Sequence, residues 1–430
     1  MKAIHDILHI WRQEMRLVLH DEGVLIFFII VPLVYPLLYS WIYNNEVLRD
    51  VPVAVVDDSK SSLSRDFIRR CDATPEVKVL CYCDDLDEAK SLVSRQVVKG
   101  IYYFPSDFST QNGRLQQTTM GVYCDMSLIL AYKNIFMAAR FTALEMGSEI
   151  QAQLNTLAAA NASARGGTAA VAATARQEEL SARPLDYDEV PLFNPSGGYG
   201  SFILPGVLML ILQQTLVLGI GLSAGTARED NRYGDLVPIN RHYSGVHRIV
   251  YGKALCYFMV FAVMAAYLTL LVPRFFSFPQ LAHWADLALM LIPYLLACVF
   301  FGMFISCMVR YRENVMLLIV FVSVPLLFLS GISWPQSAIP GAWQGVSWMF
   351  PSTFGIRAFV RMNSMGATLG QVRQEVLWLW VQAGAYYLAT CMVYRHQLML
   401  SRRHAVERLH QLRRKRRVAQ LFAKSKPNIQ

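Results

Sequence analysis

Six stretches of this 430-residue chain contain no Asp, Glu, Lys, Arg or His. They run approximately over 24–43, 201–224, 254–273, 287–309, 314–333 and 376–394. A helix rises ~1.5 Å per residue, so about twenty apolar residues cross the ~30 Å hydrocarbon core of a bilayer. Each stretch is long enough to do so. The chain is 54% hydrophobic and only 17% charged, and its apolar residues gather in these blocks. Buried core helices of a large soluble protein are the alternative, but six uncharged runs of this length in one chain argue against it. The lack of ionisable groups at membrane depth also argues against an ion-coupled carrier, which keeps such groups there to bind protons or cations.

Catalytic motifs are missing as well. No Gly-x-x-x-x-Gly-Lys-[Ser/Thr] phosphate loop occurs. Gly100, Gly121 and the Gly197-Gly198 pair lack the Lys-Ser/Thr that would hold phosphates and Mg²⁺. The chain is therefore expected not to hydrolyse ATP, and any energy source must act from outside the bilayer. There is no Gly-x-Ser-x-Gly elbow and no His-Glu-x-x-His pair. No catalytic residue and no metal site is expected. Residues 1–23 are amphipathic and mixed in charge, and no small-residue cleavage pattern follows the first apolar run. That run is expected to stay as an anchor.

What charge there is has a pattern. The formal net charge is +9, yet residues 44–200 hold fifteen Lys/Arg against twenty Asp/Glu, leaving twenty-five basic and eleven acidic residues elsewhere. The 225–253 loop carries five basic residues (Arg228, Arg232, Arg241, Arg248, Lys253), the 310–313 loop two, the N-terminal segment three, and the tail after 394 eleven. On the other face, 274–286 carries Arg274 alone and 334–375 carries Arg357, Arg361 and Arg373. Basic loops stay cytoplasmic, so both termini are expected in the cytoplasm and 44–200 outside. These flanks suggest a membrane before they suggest nucleic acid, which is not an expected partner.

Within 44–200, residues 51–56, 76–83, 99–104 and 119–125 read as strands. Helices fit from Ser61 or Ser62 to about Cys71 and over 84–96, and an Ala-rich helix runs from Ser127 to about Leu180 with Gly166-Gly167 interrupting it. The acidic start at Asp84, Asp85, Asp87 and Glu88 favours a helix dipole and is read as structural. Strands alternating with helices imply a small α/β domain, with the Ala-rich helix as a stalk. Cys71, Cys81, Cys83 and Cys124 fall here, and an oxidising compartment would permit disulfides among them; free buried thiols are the alternative. Cys81 and Cys83 share one strand face, so each is better placed to pair elsewhere than with the other. Cys-x-Cys without nearby ligands is weak evidence for zinc.

Two basic-side elements could receive a push. In 3–20, Ile4, Leu8, Trp11, Met15 and Val18 share one face at helical spacing, with His5, Arg12, Glu14 and Arg16 largely off it. Such a helix lies along the membrane interface. The 225–253 loop is long and charged for a simple turn, although a solvated loop is the plain alternative. Inside the spans, Gln213 and Gln214 are the most polar neighbours. They could line a substrate path, but a hydrogen bond between helices is the preferred reading.

Local matches at 53–67 (VAVVDDSKSSLSRDF), 100–108 (GIYYFPSDF), 193–206 (FNPSGGYGSFILPG) and 329–361 (LSGISWPQSAIPGAWQGVSWMFPSTFGIRAFVR) point further, as do Arg228-Glu229, Pro238 and Gly252-Lys253. With the order of parts, they make the chain resemble the permeases of type 2 ABC exporters, in the branch with an extracytoplasmic domain between spans one and two. The resemblance implies a membrane all-α bundle of six transmembrane helices with an inserted α/β extracytoplasmic domain, in the bacterial inner membrane.

The parts would be an interfacial helix in 1–23, spans at the six stretches above, the outer domain at 44–200, a coupling loop at 225–253, a re-entrant segment at 334–375 and a basic cytoplasmic tail at 395–430. The re-entrant segment would be marked by Ser330, Gly331, Pro335, Pro340, Pro351 and Arg361. Contact with the ATPase would fall on Trp11, Arg12, Arg228, Glu229, Asp230, Gly234, Asp235, Pro238, Gly252 and Lys253. Family members commonly show an acidic residue before Gly-Thr in this loop; here Gly225-Thr226 precedes Arg228-Glu229-Asp230.

The implied partners are separate ATPase subunits that bind ATP and Mg, a second permease (identical or a paralogue), the lipid bilayer and a periplasmic membrane-fusion adaptor. The implied function is export, of a drug-like amphiphile or a lipid. A non-transporting receptor or scaffold, with the outer domain as sensor, is the rival reading. Five spans after that domain are hard to justify in a simple receptor.

Overall fold

In the computed structural model, which describes residues 2–44, 47–109, 118–126, 128–163, 193–194, 198–229, 245–309 and 311–396, six helices are long and apolar enough to cross a membrane. They are span one (Glu22–Ile42), span two (Tyr199–Thr226), span three (Val246–Phe275), span four (Trp284–Met308), span five (Arg312–Leu329) and span six (Arg373–His396). Most extend a few residues beyond the uncharged runs, because helices continue into the charged flanks. A helix, α1 (Lys2–His20), precedes them. The chain divides into two compact units, one of Met1–Glu46 with Leu192–Gln430 and one of Val47–Pro191.

Prolines explain the irregular turns of the bundle. Wide π turns at Ile26–Ile30 and Tyr267–Leu271 come just before Pro32 and Pro273. A proline has no N–H and its ring crowds the carbonyl four residues back, so the helix widens there. The Thr269 carbonyl, which Pro273 leaves without its helical donor, accepts instead from the Gln280 amide. Spans two and four lie at the centre of the unit, with most of their surface buried, whereas span five is buried over only 11% of its apolar window.

The second unit follows the strand and helix pattern of its sequence. Its strands are β1 (Val51–Asp57), β2 (Val77–Cys83), β3 (Gly100–Phe104) and β4 (Gly121–Cys124). They are ordered β2-β1-β3-β4, the first three parallel and β4 antiparallel. Helix α2 (Ser62–Asp72) begins at a capping box made by Ser61 and Ser64, and α3 (Leu86–Ser94) begins at Asp85, whose carboxylate accepts from Leu86 N–H. A long helix, α4 (Ile129–Ser163), follows β4. Gly166-Gly167 and the rest of the Ala-rich stretch lie outside the described residues.

A bulge in β2 between Val79 and Cys81 sets which side chains face which layer. Val77 and Val79 pack with Cys71 and Cys124 on one side of the sheet, and Cys81 and Cys83 pack with Ala54 and Val56 on the other. All four cysteines carry free thiols. The sheet therefore separates them into two pairs. Burial pushes the Cys71 thiol up to about 11, against a hydrogen bond with Thr142 that pulls it down, and burial pushes Cys124 up to about 11.

Candidate functional site

Helix α1 beds on span three along a row of which the apolar pattern selected only Val18. Asp6, Ile10, Glu14 and Val18, spaced four apart, are the buried residues. Ile4 and Leu8 are 65% and 50% exposed, and Trp11 and Met15 are only partly buried against the bundle. Glu14, which the apolar pattern placed off that face, points inward at span three. The reason is a charged partner. Glu14 Oε2 lies 2.8 Å from Lys253 Nζ, and the Tyr257 hydroxyl donates to Glu14 Oε1. Two turns earlier on α1, Asp6 Oδ2 accepts from Arg248 Nη1 at 2.8 Å.

The backbones meet closely between these two bridges. A Cβ on Gly252 would stand 2.8 Å from Ile10 Cβ and 3.0 Å from the Ile7 carbonyl, so only glycine fits. Two predicted contact residues, Gly252 and Lys253, thus sit inside the junction of α1 with span three. Arg12 stays exposed on the other side of α1, where it lines an open groove with His9, Arg16 and His20.

Beside the ion pair lies a polar cavity of about 450 Å³. Its walls bring together the starts of spans one, three and five (Gly23, Lys253, Arg312) and the ends of two, four and six (Ala224, Ser306, Tyr394). The spans therefore alternate in direction. Asp21 caps span one here, accepting from Gly23 and Val24 N–H at 3.0 and 3.3 Å.

Deeper in the bundle, Gln213 is 1% exposed, and its Oε1 accepts from the Ser352 N–H at 2.6 Å. It ties span two to the first turn of α6 (Pro351–Met365), which is the interhelical bond preferred from sequence. Gln214 Nε2 is buried without a hydrogen-bond partner among the described residues.

The family described as ABC-2 family transporter protein matches residues 23–392. The chain belongs to the ABC-2 transporter family. It is a multi-pass membrane protein of the permease kind, a transport subunit rather than an ATPase, and such permeases generally work with an ABC ATPase. No curated protein matches it.

The segment after span five of this permease is built by its glycines and prolines. Ser330 caps span five, and Gly331 follows with φ +90°, a left-handed conformation that favours glycine. Pro335 leads into a short 3₁₀ turn at Gln336–Ala338, Pro340 into α5 (Gly341–Ser347), and Pro351 opens α6. Pro351 denies the Ser347 carbonyl its helical donor, and the Thr353 hydroxyl supplies one at 2.6 Å. Arg361 then ties α6 to span six, donating to Glu375 Oε1 at 2.6 Å and to the Gln371 carbonyl at 3.1 Å.

Of the remaining predicted contact residues, Arg228 and Glu229 end the helix of span two, which runs through Tyr199–Glu229. Asp230, Gly234, Asp235 and Pro238 lie outside the described residues. The buried acids of α1 were missed in the sequence. A usable signal was there: Asp6 and Glu14 are eight residues apart on one row of α1, and two cations, Arg248 and Lys253, stand in the first turns of span three.

Proposed function

We propose that this permease is the membrane-spanning subunit of an ATP-driven exporter whose ATPase is a separate polypeptide, in the bacterial inner membrane with both termini cytoplasmic. The observation that carries the reading is the wiring of α1 to span three by Asp6–Arg248 and Glu14–Lys253, at the end of the bundle where the basic loops fall. A force on α1 would pass through one buried and one part-buried ion pair into span three. The exposed Arg12 side of α1 and the charged stretch from Arg228 onward would receive the ATPase, which binds ATP and Mg. Gly252 and Lys253 would transmit the force from inside the junction.

Two permeases would pack side by side over two ATPases. Span five, the least buried of the six within the chain, would supply the contact. Residues 44–200 would form the extracytoplasmic domain, extending the export path or meeting a membrane-fusion adaptor. The 334–375 segment would re-enter the outer leaflet, and the cargo would be an amphiphile or a lipid.

Charge reversal at Arg228 or Glu229 is expected to lower transport-coupled ATPase activity and leave membrane insertion intact. Unchanged coupling would remove the loop from the transmission path. Co-purification with an ATPase separates this reading from a receptor or scaffold, which would bring none.

A further inference from the structure

A second cleft, of about 420 Å³, opens where span two, the turn after span five, α6 and span six meet. Its walls are mostly apolar, with Phe202, Ile332, Pro335, Ile356 and Val360 among them. Three charged side chains also line it: Arg357, Arg361 and Glu375. Arg361 is matched by Glu375 and the Gln371 carbonyl. Arg357, one turn earlier on α6, is not. Its Nε and Nη2 are closed to solvent and meet no acceptor among the described residues, while its guanidinium stands 5.6 Å from the centre of the Phe354 ring.

The count of charge is then two guanidinium groups against one carboxylate, already engaged by Arg361. Glu375 Oε2 has no hydrogen-bond partner among the described residues, so the carboxylate answers Arg357 only at a distance. A buried donor without an acceptor is costly, and a buried charge more so. An anion would supply the missing acceptor, and a planar guanidinium is suited to a phosphate or carboxylate. A small hydrated anion would find few polar groups on these walls. An anion attached to an apolar body would find both halves of its chemistry met, in a volume within the ~300–1,000 Å³ of ordinary ligand sites.

We propose that this cleft binds an amphiphile with one anionic headgroup, Arg357 taking the headgroup and Phe202, Ile332, Ile356 and Val360 the apolar body. Binding here needs no ATPase, so this proposal and the transport reading stand or fall separately.

The test uses the full chain in nanodiscs of phosphatidylcholine, titrated with decyl phosphate, decanol and inorganic phosphate, with empty nanodiscs subtracted. Decyl phosphate should bind more tightly than either of the others. Arg357→Gln should weaken decyl phosphate by about tenfold or more, the loss of one charge-assisted hydrogen bond, and leave decanol unchanged. Arg357→Lys should recover part of the loss. Glu375→Gln keeps an acceptor for Arg361 and removes the competing charge, so it should tighten binding several-fold. If Arg357→Gln does not fold, Glu375→Gln and Phe202→Ala carry the test. Phe202 is 54% exposed, and its truncation should weaken decyl phosphate without harm to the core.

Equal affinity in Arg357→Gln, or no change in both substitute variants, overturns the proposal. So does inorganic phosphate or decanol binding as tightly as decyl phosphate. Raising the phosphatidylglycerol content distinguishes the sources: competition identifies a membrane lipid as occupant, and its absence identifies a compound arriving from solution.

Discussion

Lys253→Met isolates the ion pair that holds α1 to span three. Lys253 and Glu14 side chains are 6% and 3% exposed, so each charge depends mainly on the other. At 2.8 Å the pair attracts by about 6 kcal/mol at an effective dielectric of ~20. Removing the cation leaves a buried carboxylate held, among the described residues, by the Tyr257 hydroxyl, and breaking such a pair costs about 3–5 kcal/mol. Ile10 and Val18 still anchor the helix, each contributing about 1.5–3 kcal/mol by burial, so α1 should loosen rather than leave. The lower figure, about 3 kcal/mol, corresponds to roughly a hundredfold rise in the opening constant.

Hydrogen exchange of the 2–20 backbone reads that number directly. Glu14→Gln/Lys253→Met replaces the pair by neutral groups of similar size and should restore most of the protection, because an ion pair exchanged for uncharged packing is often near neutral. The two single changes are then strongly non-additive. Unchanged exchange of 2–20 in Lys253→Met, or strict additivity in the double variant, would refute the reasoning.

Gly219→Ala would place a Cβ 2.0 Å from the Phe28 ring. That ring is fixed edge-on against Tyr257 and Phe261 at 5.8 and 5.0 Å. A loss of about 1–3 kcal/mol is expected, seen as a lower Tm in detergent and relieved by Phe28→Leu. In the sheet unit, Arg70 donates to both oxygens of Glu149 at 2.9 and 2.7 Å, joining α2 to α4, and this holds the Glu149 carboxyl below its usual range. A depressed carboxylate gives its stability above the unfolded pKa and loses it as pH falls through the folded one. Exchange over 129–149 should therefore be flat near neutrality and rise, relative to the intrinsic rate, only below about pH 4; Glu149→Gln should abolish that rise. For the thiols, maleimide should label the half-buried Cys81 before the fully buried Cys71, whose pKa is pushed up to about 11. A disulfide between any two of the four would show as resistance to labelling that reduction reverses.

The six spans and the strands of the sheet unit were legible because their signals are local. Twenty uncharged residues mark a span wherever they fall, and Val51–Asp57 or Gly100–Phe104 announce themselves by β-branched and aromatic runs between turns. A cap at Ser61 or Ser62 and the acidic helix start over 84–88 were legible for the same reason, and the structure selects Ser61 and Asp85 as the caps. The π turns were not, since a proline in a run does not say how the helix around it will adapt. The candidate coupling residues were only half legible: Lys253 could be marked as important, but its partner lies 239 positions away in the chain, at Glu14.

By itself, then, the sequence marked six runs long and apolar enough to cross a membrane, a strand-and-helix insertion after the first of them, and no phosphate-binding loop. Those follow from run length, alternation and missing motifs, none of which needs a neighbour. Only the tertiary structure decided which face of α1 is buried, that Gln213 caps α6 instead of standing free, and that Arg357 Nε and Nη2 meet no acceptor among the described residues while Arg361 has two. Each depends on which groups packing brings within hydrogen-bonding distance, and a charge in a chain does not carry the name of its partner.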